Sequence, residues 1–312
     1  MRELFLTRHN HLIDPIISVW GWEIPVYLFL GGWVAGMMVI TGYYLLRGRH
    51  THDLCVCSVL PGLGIALLSL GMLALFLDLD HKRSVWRLYT TFELASPMSW
   101  GAWILVVVYP ALIAAFLLRP PEWLRVLVPG LDDLTLRMAG SGRLVRAVGS
   151  TNVVLGVMLG IYTGILLSAL GARPLWNSAV LGILFLLSGL SSAAAFTHLV
   201  ARDVTERERL ARADTVFLAV ELAVLGLFLI GMLSSTEAHM QAARLVLGGP
   251  FTGVFWVAVV GLGIVIPLLI QSLAASHRIV HTPLAPLLVL AGGLALRFVF
   301  VYAGQYSHWA RI

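Results

Sequence analysis

Long apolar runs alternate with short polar segments along almost the whole chain. Each run holds roughly 20 residues or more, which is the length that a helix needs to cross the hydrocarbon core of a bilayer. The strands of a membrane barrel would instead show alternating polarity over roughly ten residues, so the pattern predicts helices. The eight predicted spans are residues 23–46, 54–77, 100–118, 145–170, 174–200, 214–233, 252–273 and 283–302.

The basic residues are divided unequally between the two sets of loops. Twelve Lys and Arg residues follow the first, third, fifth and seventh spans, whereas five follow the second, fourth and sixth. Loops rich in Lys and Arg remain in the cytoplasm. The charged segment before the first span lacks a small-residue cleavage site, so no removable signal peptide is expected. The sequence therefore predicts an all-α, multi-pass protein of the bacterial inner membrane with both termini on the periplasmic side.

A weak internal repeat relates the third span to the seventh. Near the start of each, a proline is followed by a hydroxyl side chain and then by a tryptophan at the same offsets. The repeat predicts two four-helix bundles, at residues 23–170 and 171–312, after an N-terminal periplasmic segment at residues 1–22. Repeats also occur in secondary transporters, so this feature alone does not choose a function. The matching residues are Pro97, Ser99 and Trp103 in the third span and Pro250, Thr252 and Trp256 in the seventh.

The composition argues against several kinds of ligand and cofactor. Only 12% of the residues are charged, compared with about 25% in a typical soluble domain. The net charge of +5 comes from loop arginines that act as topology signals, so we expect no nucleic-acid binding. Cys55 and Cys57 are too few for an iron–sulfur cluster, which usually takes four thiolates. None of the histidines lies in the middle of a predicted span, where a haem needs its axial ligands, so we expect no haem and no metal in this protein.

Polar and aromatic side chains collect at the periplasmic ends of the first five spans. Polar groups are costly in hydrocarbon and mark functional positions by default. A quinone head group needs hydrogen-bond donors for its two carbonyls, a proton-exchanging side chain, and an apolar slot for its ring and tail. The residues predicted to contact such a quinone are Tyr27, His81, Trp100, Tyr162 and Arg173.

Four of the residues at this end carry the predicted chemistry. We expect Tyr162 to donate a hydrogen bond to the head group, and Glu23 or Asp78 to exchange protons with it. Arg173 is predicted to stabilise a reduced or anionic head group by its charge. The alternatives are that Glu23 only favours the start of its helix, where negative charge is stabilising, and that the interfacial aromatic residues only anchor the protein in the membrane.

A second group of polar residues lies deeper in the membrane or near its cytoplasmic side. Glu221 is about two turns into the sixth span, and Arg297 is well inside the eighth. With Asn152 and His198 they are predicted to form a proton relay. The alternative is a purely structural pairing of Glu221 and Arg297.

Several motifs together resemble those of the NrfD/PsrC family, the membrane subunits of polysulfide reductase and its relatives. The resemblance covers nearly the full chain, and the residue 96–101 block, Ser-Pro-Met-Ser-Trp-Gly, is its most specific part. The motifs are residues 27–32, Tyr-Leu-Phe-Leu-Gly-Gly; residues 96–103, Ser-Pro-Met-Ser-Trp-Gly-Ala-Trp; residues 162–164, Tyr-Thr-Gly; residues 173–176, Arg-Pro-Leu-Trp; and Arg297 with residues 303–305, Ala-Gly-Gln.

The resemblance implies eight helices in two bundles and a haem-free site for menaquinone or ubiquinone near the periplasmic face. It also implies a periplasmic partner, a four-cluster ferredoxin-like iron–sulfur subunit, with a catalytic molybdopterin subunit or a multihaem cytochrome beyond it. Tyr162 falls on the family's tyrosine beside the quinone. In the first span a family member uses an Asn and a His near the quinone, whereas this sequence has Ile24 and Tyr27 there.

The combined interpretation is a membrane subunit that oxidises quinol, or reduces quinone, and exchanges electrons with a docked iron–sulfur subunit. Proton translocation through the deeper polar residues is a further expectation. Two alternatives remain open from the sequence. One is a secondary transporter built on the four-helix repeat, and the other is a passive membrane anchor.

Overall fold

The computed structural model describes residues 20–48, 55–79, 81–93, 96–201, 203–275 and 282–309, and every regular element in these ranges is helical. Eight of the helices are long and apolar enough to cross a membrane. The predicted all-α architecture with eight spans is therefore confirmed. The eight helices are α1 Glu23–Leu46, α2 Leu60–Asp78, α3 Pro97–Leu118, α4 Gly142–Ser168, α5 Val180–Val200, α6 Val204–Leu233, α7 Val254–Ala274 and α8 Leu284–Tyr306.

The ends of several helices differ from the prediction, and α6 differs most. It begins at Val204, although the apolar run begins ten residues later at Asp214. The side chain of Asp203 accepts a hydrogen bond from the backbone N–H of Thr205 at 3.1 Å and so caps the helix N-terminus. Hydropathy locates the part of a helix that lies in the bilayer, whereas capping determines where the helix starts.

Helix α5 begins later than predicted. Residues 174–177 were expected inside the fifth span, but residues 173–177 form a turn, and the helix begins at Val180. Backbone N–H groups in this turn bond to nearby carbonyls instead of a helical ladder, as in Trp176 to Arg173 at 3.1 Å. The predicted start of the fifth span at Pro174 was therefore wrong.

Helix α1 is the centre of the molecule. It packs against α2, α4, α5 and α8, and most of its length is buried. Small residues allow this contact, because a Cβ on Gly36 would overlap the backbone carbonyl of Gly189 in α5. Close approach of helix backbones at glycines is typical of membrane interfaces.

Most of the remaining contacts join helices within the first half of the chain or within the second half. Helix α2 also contacts α3, and α3 contacts α4; in the second half α5 contacts α6 and α8, and α7 contacts both α6 and α8. Helix α7 is π-helical over Val254–Val265 and α-helical from Ile266. The N-terminal ends of α1 and α3 and the C-terminal ends of α2 and α4 lie together, and they surround the site described next.

Candidate functional site

A cavity of about 630 Å³ lies between the ends of α1, α2, α3 and α4. One part of its wall is polar and the other is apolar, as expected for a ligand with a polar head and an apolar tail. Of the sequence-predicted site residues, the cavity brings together Tyr27, Asp78, His81 and Tyr162. Its lining is Trp20, Ile24, Tyr27, Met72, Leu75, Asp78, Leu79, His81, Ser84, Arg87, Tyr89, Thr91, Ser96, Pro97, Met98, Gly101, Ala102, Leu105, Tyr162, Leu166, Ala169 and Leu170.

Two tyrosines from facing helices form the deepest polar part of this wall. Tyr27 in α1 and Tyr162 in α4 are only 3% and 4% exposed, and both line the cavity. No hydrogen bond joins either hydroxyl to another group in the described part of the chain. Buried hydroxyls normally have partners, so this pair is suited to bind a polar ligand in the cavity.

The position of Tyr162 depends on a glycine in α3. A Cβ added to Gly101 would overlap the Tyr162 phenol. Glycine therefore leaves the space that the ring occupies, and the ring lies directly against the α3 backbone. This contact explains one element of the Ser-Pro-Met-Ser-Trp-Gly block in physical terms.

A second element of that block fixes the loop before α3. The Ser99 hydroxyl accepts a hydrogen bond from the backbone N–H of Glu93 at 3.0 Å and donates one to the carbonyl of Thr91 at 3.3 Å. These bonds link the first turn of α3 to the segment that carries Tyr89 and Thr91. Ser99 thus holds the loop that forms one wall of the cavity.

The outer part of the cavity carries ionisable groups. Asp78 is the last residue of α2 and is half-buried. His81 follows in the loop and Arg87 begins a short helix, Arg87–Thr90, and both have exposed side chains. Tyr89 lies beside them, and burial raises the pKa of its phenol above the ordinary value. Acidic, imidazole and phenol groups at one end of the cavity provide both proton acceptors and donors.

Three of the predicted quinone-site residues are not part of the cavity wall. Glu23 is half-buried in the first turn of α1 and lies against Gly21. Trp100 is exposed and lines a separate shallow groove of mainly apolar residues with Trp103 and Met158. Arg173 is buried in the turn before α5.

Arg173 belongs to a set of contacts that closes this end of the molecule. Its guanidinium donates to the backbone carbonyl of Ser307 at 2.9 Å and lies 2.8 Å from Nδ1 of His308, just beyond α8. In the same turn, the indole N–H of Trp176 donates to the carbonyl of Phe300 at 2.8 Å. The turn is thereby attached to the C-terminal end of α8.

These contacts reach the cavity through a pair of tryptophans. The ring of Trp176 stacks on that of Trp20 with centroids 5.2 Å apart, and Trp20 lines the cavity. Gln305 in α8 holds the Trp20 backbone by two hydrogen bonds, of 3.2 and 3.1 Å. The Arg-Pro-Leu-Trp segment therefore supports the wall formed by Trp20 and does not contact the cavity through Arg173.

A buried polar network lies in the second half of the protein. Asp214 in α6 is 0% exposed. Its carboxylate accepts hydrogen bonds from the hydroxyl of Ser191 in α5 at 2.7 Å and from the amide of Gln271 in α7 at 2.6 Å. The oxygen of that amide accepts one from Thr215 at 3.1 Å. Three helices are thus joined around one carboxylate.

Glu221 and Arg297 lie near this network. Glu221 is two turns beyond Asp214 on the same helix face, and its carboxyl group lies near Ser188 in α5. Arg297 donates to the backbone carbonyl of Phe185 at 2.9 Å and lies over the Phe185 ring. Arg297 and Glu221 interact electrostatically, but no direct ion pair joins them in the described part of the chain. Within the residues that the structure describes, Nε and Nη1 of Arg297 are buried and have no hydrogen-bond partner.

The two other predicted relay residues lie apart from these contacts. Asn152 in α4 donates to the carbonyls of Ala111 and Val148 at 3.1 and 2.9 Å and so links α3 to α4 in the first half. His198 is buried in α5, seven residues and two helical turns beyond Ser191. Among the described residues, no group of three or more His, Cys, Asp or Glu side chains is placed to hold a metal ion.

Comparison with known proteins identifies the family. Residues 8–307 match the family described as polysulphide reductase, NrfD. The chain belongs to the NrfD family. The resemblance noted from the sequence motifs is therefore confirmed, and with eight apolar helices the molecule is a multi-pass membrane protein of this family.

Three relatives match this NrfD-family protein over most of its length. Protein NrfD of Escherichia coli strain K12 is 31% identical, over 93% of this sequence and 96% of its own. A polysulfide reductase polypeptide of Wolinella succinogenes is 30% identical, over 92% of this sequence and 94% of its own. A selenate reductase subunit of Mesobacillus selenatarsenatis is 23% identical, over 91% of this sequence and 73% of its own. Two of the three are named as parts of reductases.

Sequence reasoning missed three residues of this NrfD-family protein that the structure makes prominent. Asp214 was taken as the mere start of a span, although it lies seven residues before Glu221 and hence on the same helix face. That spacing was a usable signal. Gly101 belongs to the residue 96–101 motif, but its contact with Tyr162 was not predicted, and Gln271 gave no signal, because both matter through contacts with residues on other helices.

Proposed function

We propose that this protein is the quinone-reactive membrane subunit of a respiratory oxidoreductase complex. It oxidises quinol, or reduces quinone, and exchanges two electrons with a docked iron–sulfur subunit. The observation that carries the proposal is the cavity in which Tyr27 and Tyr162 present hydroxyls without hydrogen-bond partners in the described part of the chain, beside an apolar wall. A quinone combines those two requirements in one molecule.

The proposed chemistry assigns roles along the cavity. The Tyr27 and Tyr162 phenols bond to the head-group oxygens and orient the ring. Oxidation of a quinol releases two protons and two electrons. Asp78 accepts the two protons one after the other at the polar end, and the exposed His81 passes each to the aqueous phase, while the two electrons go to the docked iron–sulfur subunit. In the reverse direction the same groups supply protons. The apolar wall of α2, α3 and α4 binds the tail.

In this proposal, three of the sequence-predicted residues have structural roles instead of contacting the quinone: Glu23, Trp100 and Arg173. Glu23 provides negative charge in the first turn of α1, where helix polarity favours it. Trp100 faces outward in the aromatic groove next to the cavity. Arg173 holds the turn that supports Trp176 and, through it, the Trp20 wall.

The proposed assembly follows the relatives. The polysulfide reductase and selenate reductase relatives are named as parts of reductases, which supports a reductase complex in anaerobic respiration. We propose that both termini of this protein are periplasmic and that the helices form two four-helix bundles. A four-cluster ferredoxin-like iron–sulfur subunit then docks on the periplasmic side, with a molybdopterin subunit or a multihaem cytochrome beyond it.

Proton translocation is a further part of the proposal. Glu221, Ser188, Asp214, Ser191 and Gln271 supply acidic and hydrogen-bonding groups through the second half of the bundle. The Arg297 guanidinium extends this set towards α1, where its Nη2 lies close to Gly32. His198 lies beyond Ser191 towards the proposed cytoplasmic end, and Asn152 stabilises the neighbouring α3–α4 contact.

A secondary transporter is the second candidate, because buried carboxylates next to a π-helical stretch of α7 also suit ion coupling. The two candidates differ in what purifies with the protein. An iron–sulfur spectrum in the purified complex supports the redox subunit, and a protein that purifies without redox partners and transports a solute supports the transporter. A passive anchor predicts the iron–sulfur spectrum without quinone-linked turnover.

The direct test is the Tyr162→Phe variant in the assembled complex. The variant keeps the ring and removes the hydroxyl, so we expect quinol-linked turnover to fall about tenfold, with the amount of assembled complex unchanged. Tyr302→Phe is the matched control, because Tyr302 lies in α8, stacks on Phe298 and is not part of the cavity wall. Equal turnover in both variants would contradict the proposed role.

A further inference from the structure

Two adjacent cavities lie at the end of the bundle opposite the candidate quinone site. One, of about 400 Å³, is lined by Tyr43, Tyr44, Arg47 and Arg209. The second, of about 310 Å³, shares Tyr43, Tyr44 and Arg209 with the first. The rest of its wall is apolar and comes from α1, α5 and α6: Val39, Ile40, Leu190, Ala194, Leu210, Ala213 and Phe217. A polar mouth thus continues into an apolar groove between three helices.

The charge at the mouth is positive. Arg47 and Arg209 are both exposed, and neither forms an ion pair with a carboxylate in the described part of the chain. Arg47 lies over the ring of Tyr43 at 5.4 Å, which directs the guanidinium along this wall. Glu206, three residues before Arg209 on α6, is buried, and its carboxylate accepts a hydrogen bond from the backbone N–H of Val56. Two guanidiniums are therefore available to an anion.

The depth of the site matches a lipid head group. Arg47 caps the C-terminal end of α1, and the groove runs along α1 into the membrane-spanning part of the helix. The positive-inside rule places this end in the cytoplasm. Basic pockets between helices on that side bind anionic head groups, and arginine binds phosphate oxygens in a bidentate manner.

We propose that this site binds one anionic phospholipid of the inner leaflet. Arg47 and Arg209 bind the phosphodiester and the Tyr43 hydroxyl lies at the head-group level. One acyl tail occupies the groove between α1, α5 and α6. A bound lipid would connect the two halves of the protein at this end, because α1 belongs to the first half and α5 and α6 to the second.

The test is lipid binding to the purified complex, measured by native mass spectrometry during titration with phosphatidylglycerol or phosphatidylcholine. We expect preferential binding of phosphatidylglycerol. In the double variant Arg47→Gln/Arg209→Gln, that affinity should fall about fivefold for each arginine removed, or roughly 25-fold in all. Arg212→Gln is the matched control, since Arg212 lies on the same helix and pairs with Glu208 at 3.6 Å; it should bind as the unchanged complex does.

A second variant tests the acyl tail without changing charge. Ala213→Trp fills the groove and is expected to weaken phosphatidylglycerol binding, while inorganic phosphate in large excess is expected not to displace the lipid. The preference of the unchanged complex for phosphatidylglycerol over phosphatidylcholine is a further test, and it requires no variant. Equal affinity for both lipids, equal loss in Arg212→Gln, displacement by inorganic phosphate, or a quinone found in the groove would overturn the proposal.

Discussion

Gly101 and Tyr162 form a residue pair that a single methyl group would disrupt. In the Gly101→Ala variant, the new Cβ overlaps the phenol and displaces it from its place against α3. Misplacement of a reacting group by about 1 Å can lower a rate by about 100-fold, so we expect quinol turnover to fall by about 10- to 100-fold. The measurement is quinol oxidation by the assembled complex.

The control for Gly101→Ala is another glycine-to-alanine change in a helix. Gly226 in α6 has no heavy atom near the position of an added Cβ, so Gly226→Ala should leave turnover unchanged. A Gly101→Ala complex that assembles and turns over normally would show that the position of the Tyr162 ring does not limit the reaction.

Asp214 and Glu221 are acidic residues for which a neutral amide has nearly the same shape. In Asp214→Asn and Glu221→Gln, the amide that replaces the carboxyl group does not take up or release a proton. We expect fewer protons to cross the membrane per electron transferred, while quinol turnover changes much less. The measurement is acidification of proteoliposomes that contain the assembled complex and a pH-sensitive dye.

Glu208→Gln provides the comparison for this pair, because Glu208 lies on the same helix with an exposed carboxylate that pairs with Arg212. It should behave as the unchanged complex does. An unchanged proton yield in both Asp214→Asn and Glu221→Gln would remove these residues from any proton path.

At the scale of helices and turns, the turn before α5 is a structural support. Trp176→Phe removes the indole N–H that bonds to the Phe300 carbonyl, in a residue that is only 1% exposed. Leaving that carbonyl buried without its partner is expected to cost about 1–3 kcal/mol of stability. Thermal unfolding of the purified protein should therefore move to a lower temperature.

Trp309→Phe is the matched variant for this prediction. Its indole N–H also donates to a backbone carbonyl, that of Gly171, at 2.8 Å, but the residue is 44% exposed. Water can replace the lost bond there, so the expected loss is below about 0.5 kcal/mol. A larger destabilisation in Trp309→Phe than in Trp176→Phe would contradict the role given to the buried turn.

The sequence predicted the helices better than their ends. Apolar length alone located all eight spans, because only a hydrogen-bonded helix is stable across a bilayer. It did not locate the start of α6, which extends ten residues before the apolar run at Asp214, nor the turn at residues 173–177, whose apolar residues are buried by protein contacts. Hydropathy does not distinguish burial in protein from burial in lipid.

At the scale of the whole molecule, the candidate site was predicted in part. Residue type and membrane depth pointed to Tyr27, Asp78, His81 and Tyr162, and these four line one cavity. The same reasoning selected Arg173, whose guanidinium instead contacts the end of α8. Which of several polar groups at one membrane face turns towards a cavity depends on packing between helices that are distant in sequence.

Different polar sites lie in the first and second halves of the protein. The cavity lies among α1 to α4, whereas the Asp214 network joins α5, α6 and α7. The position in the seventh span that corresponds to Gly101 in the internal repeat is Val254. A valine at that position cannot leave the space that Gly101 leaves for Tyr162. The repeat therefore does not predict a second copy of the same cavity.

The central claim is that the cavity between α1 and α4 binds a quinone. Its most direct test is photolabelling of the assembled complex with an azido-quinone, followed by mass spectrometry of the peptides. The proposal predicts labels within residues 20–27, 72–79, 97–105 and 162–170, which are lost when excess unlabelled quinol competes. Labelling confined to other helices, or labelling of these segments that excess quinol does not reduce, would contradict it.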